Sequence, residues 1–148
     1  ADNNGDHEHQ KKQQNLSEWY CHVEEVSRIL QRHVCSAVNY KDVTHNHLKF
    51  IHPGSGNSKV PYHLFGTFPK SHHTILDISD VALVGIREEY INHDCIECEA
   101  ANILDPPINH PNESFDVWID KGLLDALFSN HEQVTEEQCH NMFQEAHR

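Results

Sequence analysis

Apolar residues recur at steps of three and four along the first third of the chain. The positions are Leu16, Trp19, Val23, Val26, Leu30 and Val34. This spacing puts them on one face of a helix, so the pattern predicts an amphipathic helix over residues 17–34. Residues 1–15 contain almost nothing that a core could bury, and we expect a disordered polar tail there.

Short apolar runs alternate with helical patterns along the rest of the chain. Strands are predicted at residues 48–51, 74–76, 95–101 and 115–119. Helices are predicted within 59–68, over 81–90 after a cap at Ser79 or Asp80, over 122–128, and from Thr135 to the end of the chain. Thr135 opens a Thr-Glu-Glu-Gln capping box. The alternation predicts an α/β fold with a mostly parallel sheet, in one domain over 16–148.

Charge and cysteine content narrow the class of protein. The 148 residues carry 23 acidic and 11 basic side chains, a formal net charge of -12, and the basic residues form no block. Nucleic acid is therefore not an expected partner, because duplex binding relies on clustered cations. No apolar run approaches the ~20 residues that cross a bilayer, so no membrane partner is expected. Five scattered cysteines favour reduced thiols, and we expect a cytoplasmic protein.

The stretch Gly54-Ser55-Gly56-Asn57-Ser58 follows the first predicted strand. In an α/β sheet this turn often binds a cofactor, although the same residue types also form ordinary turns. Asp77 comes twenty-one residues after Gly56 and directly after the second predicted strand. A carboxylate there can bind a ribose, whereas the structural alternative is a helix cap. The pairing favours cofactor binding, but Lys59 stands where a dinucleotide loop has its third glycine.

Three segments, FIHPGSGNSKV, TILDISDVAL and SFDVWIDKGLLDAL, occur in this order. Together they resemble class I S-adenosylmethionine-dependent methyltransferases, in particular the methyltransferase-like family that includes lysine methyltransferases of a translation elongation factor. The resemblance covers roughly residues 18–148, and the third segment is its most diagnostic part. It implies a Rossmann-like three-layer sandwich that is incomplete at its carboxyl end, because the family continues into further strands.

The resemblance also implies roles for individual residues. The glycine loop passes beneath the methionine part of S-adenosyl-L-methionine, Asp77 binds the ribose diol, and Asn102 lies near the adenine amino group. Asp120 is the implied catalytic residue beside the transferred methyl, with Lys121 and Asp125 in supporting positions. The implied cofactor-binding residues are Trp19, Tyr20, Gly54, Ser55, Gly56, Asn57, Ser58, Asp77, Ile78, Asn102, Ile103 and Asp120. Trp19 is equally well explained as a core residue of the first helix.

The function implied is in-line methyl transfer to a lysine of a protein substrate, with a translation factor as a candidate partner. The alternative is a truncated or degenerate domain that acts as a non-catalytic module, binding cofactor or forming a homodimer through an uncovered sheet edge.

The residue types also allow two other kinds of site, a zinc site and a nucleophilic serine. His93, Cys95 and Cys98 are zinc-ligand types, but no second pair accompanies them and the cysteines are better explained as strand fillers, so no metal site is predicted. Ser55 stands between two glycines, yet a nucleophile elbow needs one more residue between them.

Overall fold

The computed structural model of the protein describes residues 22–37, 47–129 and 134–148. Helices and strands alternate along the chain after the first helix. In chain order the elements are α1 (Val23–Ala37), β1 (Lys49–Pro53), α2 (Val60–Thr67), β2 (His72–Asp77), α3 (Asp80–Glu89), β3 (Ile96–Ala100), β4 (Val117–Trp118), α4 (Leu123–Ser129) and α5 (Glu136–His147). The predicted α/β class is confirmed.

The four strands form one parallel sheet in the order β3-β2-β1-β4. Strand β1 is central, and its residue Ile51 pairs with Thr74 of β2 on one side and Trp118 of β4 on the other. The chain adds β2 and β3 outwards from β1 and then returns to the opposite side of β1 for β4. The crevice of an open α/β sheet, in which such sheets bind ligands, therefore falls outside the carboxyl ends of β1 and β4, where the strand order reverses.

The sheet has a helical layer on each face. On one face, Phe50 belongs to a cluster with residues of α1 and α2, and Ile75 belongs to a cluster with residues of α3. On the other face, Ile51, Leu76 and Trp118 pack with residues of α4, α5 and the segment after β3. This gives the three-layer arrangement that the resemblance implies. Among the described residues, no helix is long and apolar enough to cross a membrane.

Local capping signals fix where two helices begin. The Ser79 hydroxyl accepts the amide of Ala82 at 3.3 Å and caps α3. At α5 the predicted capping box is present, because the Gln138 amide donates to the Thr135 hydroxyl at 3.2 Å and the Thr135 amide donates to the Gln138 side chain at 3.0 Å. Both starts agree with the sequence prediction within one residue.

The first helix does not continue across His22, as the prediction over residues 17–34 requires. His22 is not helical, and its carbonyl accepts the amides of Glu25 at 2.9 Å and Val26 at 3.3 Å, so α1 begins at Val23. The apolar spacing continues across this point, but spacing alone does not identify a helix end. The predicted start at residue 17, the predicted tail over 1–15, and Trp19 and Tyr20 all lie outside the described residues.

Candidate functional site

The glycine loop leaves the carboxyl end of β1 between two neighbouring structures. The Gly54 amide donates to the Leu76 carbonyl of β2 at 2.7 Å. Gly54 has a φ of +59°, and a Cβ added there would lie 2.6 Å from Cδ1 of Leu123, the first residue of α4. Gly56 has a φ of +55°, but a Cβ added there would meet nothing within 4 Å. The loop thus packs closely on α4 at Gly54 and faces open space at Gly56.

Asp77 connects the glycine loop to the turn after β2. Its Oδ2 atom accepts the amide of Gly56 at 2.9 Å, and its Oδ1 atom accepts the amide of Ser79 at 2.9 Å. The side chain is half-buried at the end of β2. Asp77 therefore orders the turn before α3, in line with the capping interpretation, and also lies against the glycine loop.

Asp120 follows β4 and caps the start of α4. Its Oδ1 atom accepts the amides of Gly122 at 2.9 Å and Leu123 at 2.8 Å, and its Oδ2 atom accepts the amide of Leu124 at 3.1 Å. A carboxylate in this position is favoured by the positive end of the helix dipole. These bonds hold a negative charge in one place near the glycine loop, because the same helix start contacts Gly54.

Three further residues predicted to bind the cofactor differ in their exposure. Ile78 is 73% exposed directly after Asp77. Asn102 is exposed too, and its Oδ1 atom accepts the Leu104 amide at 3.1 Å, so the side chain orders the turn after β3. Ile103 is buried with Ile51 in the core. Ile103 therefore supports this turn from within the protein.

The cysteines do not form a metal centre in the part of the chain that the structure describes. Cys98 packs with the α3 cluster on one face of β3, whereas Cys95 lines a cavity with Thr74 and Glu97 on the other face. Burial raises the pKa of both thiols. No group of three His, Cys, Asp or Glu side chains could hold a metal ion among these residues.

An apolar groove adjoins the site beyond β4. It lies between α4 and α5, has a volume of about 510 Å³, and begins at Trp118 and Asp120. Phe128 and Phe143 on its walls are about half exposed. No sequence pattern marks this groove, because the two helices that form it are brought together only by the tertiary fold.

The segment after β3 is fastened to α5 by a contact that the sequence did not reveal. The Glu145 side chain, 5% exposed, accepts the Ile108 amide at 3.2 Å and pairs with Arg148. Arg148 also donates to the Ile108 carbonyl at 3.1 Å. The residues are about forty positions apart, so no local pattern marks them.

The chain is similar in sequence to a known methyltransferase. No family model matches the chain. EEF1A lysine methyltransferase 4 from Bos taurus is 33% identical over 95 residues, which are 62% of this chain and 36% of that protein. The chain thus spans about a third of the length of this relative.

Solved structures of methyltransferases are also similar to the chain. A putative sarcosine dimethylglycine methyltransferase from Galdieria sulphuraria is 20% identical, with 69% of this chain and 39% of that chain covered and a TM-score of 0.49. The S-adenosylmethionine-dependent methyltransferase SibL is 17% identical, with 83% and 35% covered and a TM-score of 0.48.

The sequence similarity accompanies three features of the fold, which are the parallel sheet, the glycine loop at its reversal point and the acid after β2. In sequence the chain is thus similar to a lysine methyltransferase over 95 residues, and in fold it is a parallel α/β sheet with helices on both faces.

Proposed function

We propose that the crevice at the carboxyl ends of β1 and β4 binds S-adenosyl-L-methionine and serves methyl transfer. The observation that carries this proposal is the contact between the Asp77 carboxylate and the Gly56 amide, 2.9 Å apart at the reversal point of the sheet. One side of Gly56 is open, which leaves room for a ligand against the backbone.

The charges around this crevice suit a cationic cofactor. Strands β2 and β4 lie on either side of β1 in the sheet. Asp77 is the last residue of β2, Asp120 comes shortly after β4, and Asp125 lies on α4. A sulfonium is attracted by carboxylates, and more strongly where water is partly excluded. In our proposal Asp77 accepts hydrogen bonds from the ribose hydroxyls, and Asp120 contributes negative charge near the methyl group.

The apolar and neutral positions complete the proposed pocket. Ile78 offers an exposed apolar surface beside Asp77, suited to the face of an adenine ring. Asn102 retains its amide group and a second lone pair for the adenine edge. The loop residues Ser55, Asn57 and Ser58 would line the methionine side. The proposed reaction needs orientation of a neutral amine in line with the methyl and sulfur, and no covalent enzyme intermediate.

We propose further that the acceptor is a lysine of a protein. The support is the name of the Bos taurus relative, a lysine methyltransferase, together with the acidic character of the chain. An acidic surface favours encounter with a basic protein, and a translation factor is the first candidate to assay.

Substitution of Ile78 tests the cofactor site with little effect on stability. Ile78→Ala should weaken S-adenosylmethionine binding about three- to tenfold, because it removes apolar contact with the adenine. Ile91→Ala is the matched control, since Ile91 is 76% exposed and precedes β3, on the side of the sheet where the strands begin. Equal calorimetric dissociation constants for both variants and the wild type would remove Ile78 from the site.

Asp77→Asn tests the ribose assignment. We expect affinity to fall at least tenfold, because a carboxylate acceptor is replaced by an amide and the loop contact with Gly56 is disturbed. Asp94→Asn is the control at the amino-terminal edge of the sheet. Wild-type affinity in Asp77→Asn would show that the ribose binds elsewhere.

A second candidate function is non-catalytic association between copies of the chain. The groove bounded by Phe128 and Phe143 next to β4 favours it, because exposed apolar surface beside an edge strand promotes pairing. Sedimentation velocity decides this candidate. It requires a dimer that Phe128→Asp or Phe143→Asp dissociates, and a monomer at all concentrations would exclude it.

A further inference from the structure

Two histidines are buried in the sheet directly before the glycine loop. His52 on β1 is 2% exposed and His73 on β2 is 1% exposed. The Nε2 atom of His52 lies 3.0 Å from Nδ1 of His73. The Nε2 atom of His73 lies 2.7 Å from the hydroxyl oxygen of Ser71, which is also buried. Ser71 in turn is 2.6 Å from the carbonyl oxygen of Phe68.

The Phe68 carbonyl is the last acceptor in this series of hydrogen bonds, and it fixes the direction of the others. A carbonyl can only accept, so the Ser71 hydroxyl donates to Phe68. The Ser71 oxygen then accepts from Nε2 of His73, which leaves Nδ1 of that neutral ring as an acceptor. His52 therefore donates from its Nε2 atom. A proton added to Nδ1 of His73 would remove the acceptor of the His52 bond, so these bonds are satisfied only while the His73 ring is neutral.

The same geometry excludes a hydrolytic role for the cluster. Serine, histidine and an orienting third group stand in the order of a catalytic triad. Here, however, the serine proton is directed to the Phe68 carbonyl, away from His73, and the hydroxyl is 1% exposed. A nucleophile needs a base as acceptor of its proton and access to substrate.

The surroundings of the pair offer an added proton little stabilisation. The His73 ring stacks on Phe50 at 4.9 Å, within a cluster to which α1 and α2 contribute apolar residues. The apolar cluster around Ile75 contributes the titratable side chains Tyr90 and Cys98. A cavity that His73 also lines has the titratable residues Lys49, Cys95, Glu97 and His110 on its walls. On β2 itself, the exposed His72 acts on His73 with like charge.

Burial, more than the neighbouring imidazole, lowers the pKa of His52 well below its usual value. Burial likewise lowers the pKa of His73 to about 4, with His72 as a smaller cause. An unfolded chain would bind these protons near pH 6.5. Between that pH and about 4 the unfolded state therefore holds more protons than the folded state, so stability decreases as the pH falls through this range.

We propose that the pair His52 and His73 is an acid-sensitive element that holds the glycine loop in place at neutral pH and holds it less firmly in mild acid. His52 is followed by Pro53, which pairs with Leu76, and then by Gly54, whose amide bonds the Leu76 carbonyl. Opening of β1 from β2 at this point would expose both rings to water, where they bind protons near pH 6.5, so a falling pH favours the open form. The consequence for cofactor binding rests on the proposed function, whereas the effect on folding does not.

Urea unfolding at pH 7 and pH 5 tests the proposal. For His73 alone, the unfolding equilibrium constant should rise about twentyfold between these pH values, from the two pKa values above. The double variant His52→Leu/His73→Val removes both imidazoles together, so no buried donor loses its partner. It should lose most of this pH dependence, while His72→Gln, next to the pair but exposed, should retain it.

Two results would overturn the proposal. One is an unchanged pH dependence in the double variant. The other comes from the wild-type protein, where nitrogen chemical shifts of the imidazoles report protonation without any substitution. If both buried rings gain a proton near pH 6.5, the element does not exist, and this readout stands even if the double variant fails to fold. Absent cofactor binding at pH 7, combined with the predicted unfolding behaviour, would refute the proposed function alone.

Discussion

The two glycines of the loop should respond very differently to alanine. Both have positive φ, so a Cβ costs roughly 1–2 kcal/mol of unfolding free energy at either position. At Gly54 the new Cβ would also lie 3.1 Å from Cβ and Cγ of Leu123, close to the backbone of α4. Such overpacking adds about 1–3 kcal/mol. We therefore expect Gly54→Ala to lower the free energy of unfolding by about 2 kcal/mol more than Gly56→Ala does.

Urea denaturation followed by tryptophan fluorescence measures this difference. A further loss of about 2 kcal/mol corresponds to a lower midpoint by about 1 M urea in Gly54→Ala relative to Gly56→Ala. Gly85→Ala is the matched control, because Gly85 lies on α3 without positive φ and with open space around it, and alanine should raise stability by about 0.5–1 kcal/mol. Equal midpoints for the two loop variants would refute the close packing of the loop on α4.

Three further substitutions test other parts of the fold by the same denaturation assay. Thr135→Ala should lower the free energy of unfolding by about 1 kcal/mol, because it removes half of the capping box of α5. Glu145→Gln should cost about 1–3 kcal/mol through its bonds to Ile108 and Arg148, while the exposed Glu137→Gln should stay within about 0.5 kcal/mol. Leu64→Ala, at a fully buried side chain, should cost about 2–5 kcal/mol, and a loss below 1 kcal/mol would contradict its place in the core.

The sequence predicts elements well where a local rule governs them. The start of α5 follows from Thr135 and Gln138, which satisfy each other within one turn. The parallel sheet follows from the alternation of strands and helices. The break before α1 was missed because His22, the residue before the helix, is not one of the residue types that usually cap a helix.

Contacts between distant segments could not be predicted in the same way. The glycine loop was recognised from Gly54 and Gly56, but its packing on Leu123 depends on β4 lying beside β1. A signal for the buried histidines was present, since His52 and His73 interrupt apolar strands. Their partnership required the register that sets Phe50 opposite His73.

Binding of S-adenosylmethionine to the wild-type protein at neutral pH tests the central claim most directly. Calorimetry should give one saturable site with a dissociation constant in the micromolar range, and the demethylated product should compete for it. Amide signals of Gly56 and Asp77 should shift as the site fills, because these residues form the proposed contact. No heat at millimolar cofactor, or saturation without a change at Gly56 and Asp77, would contradict the account.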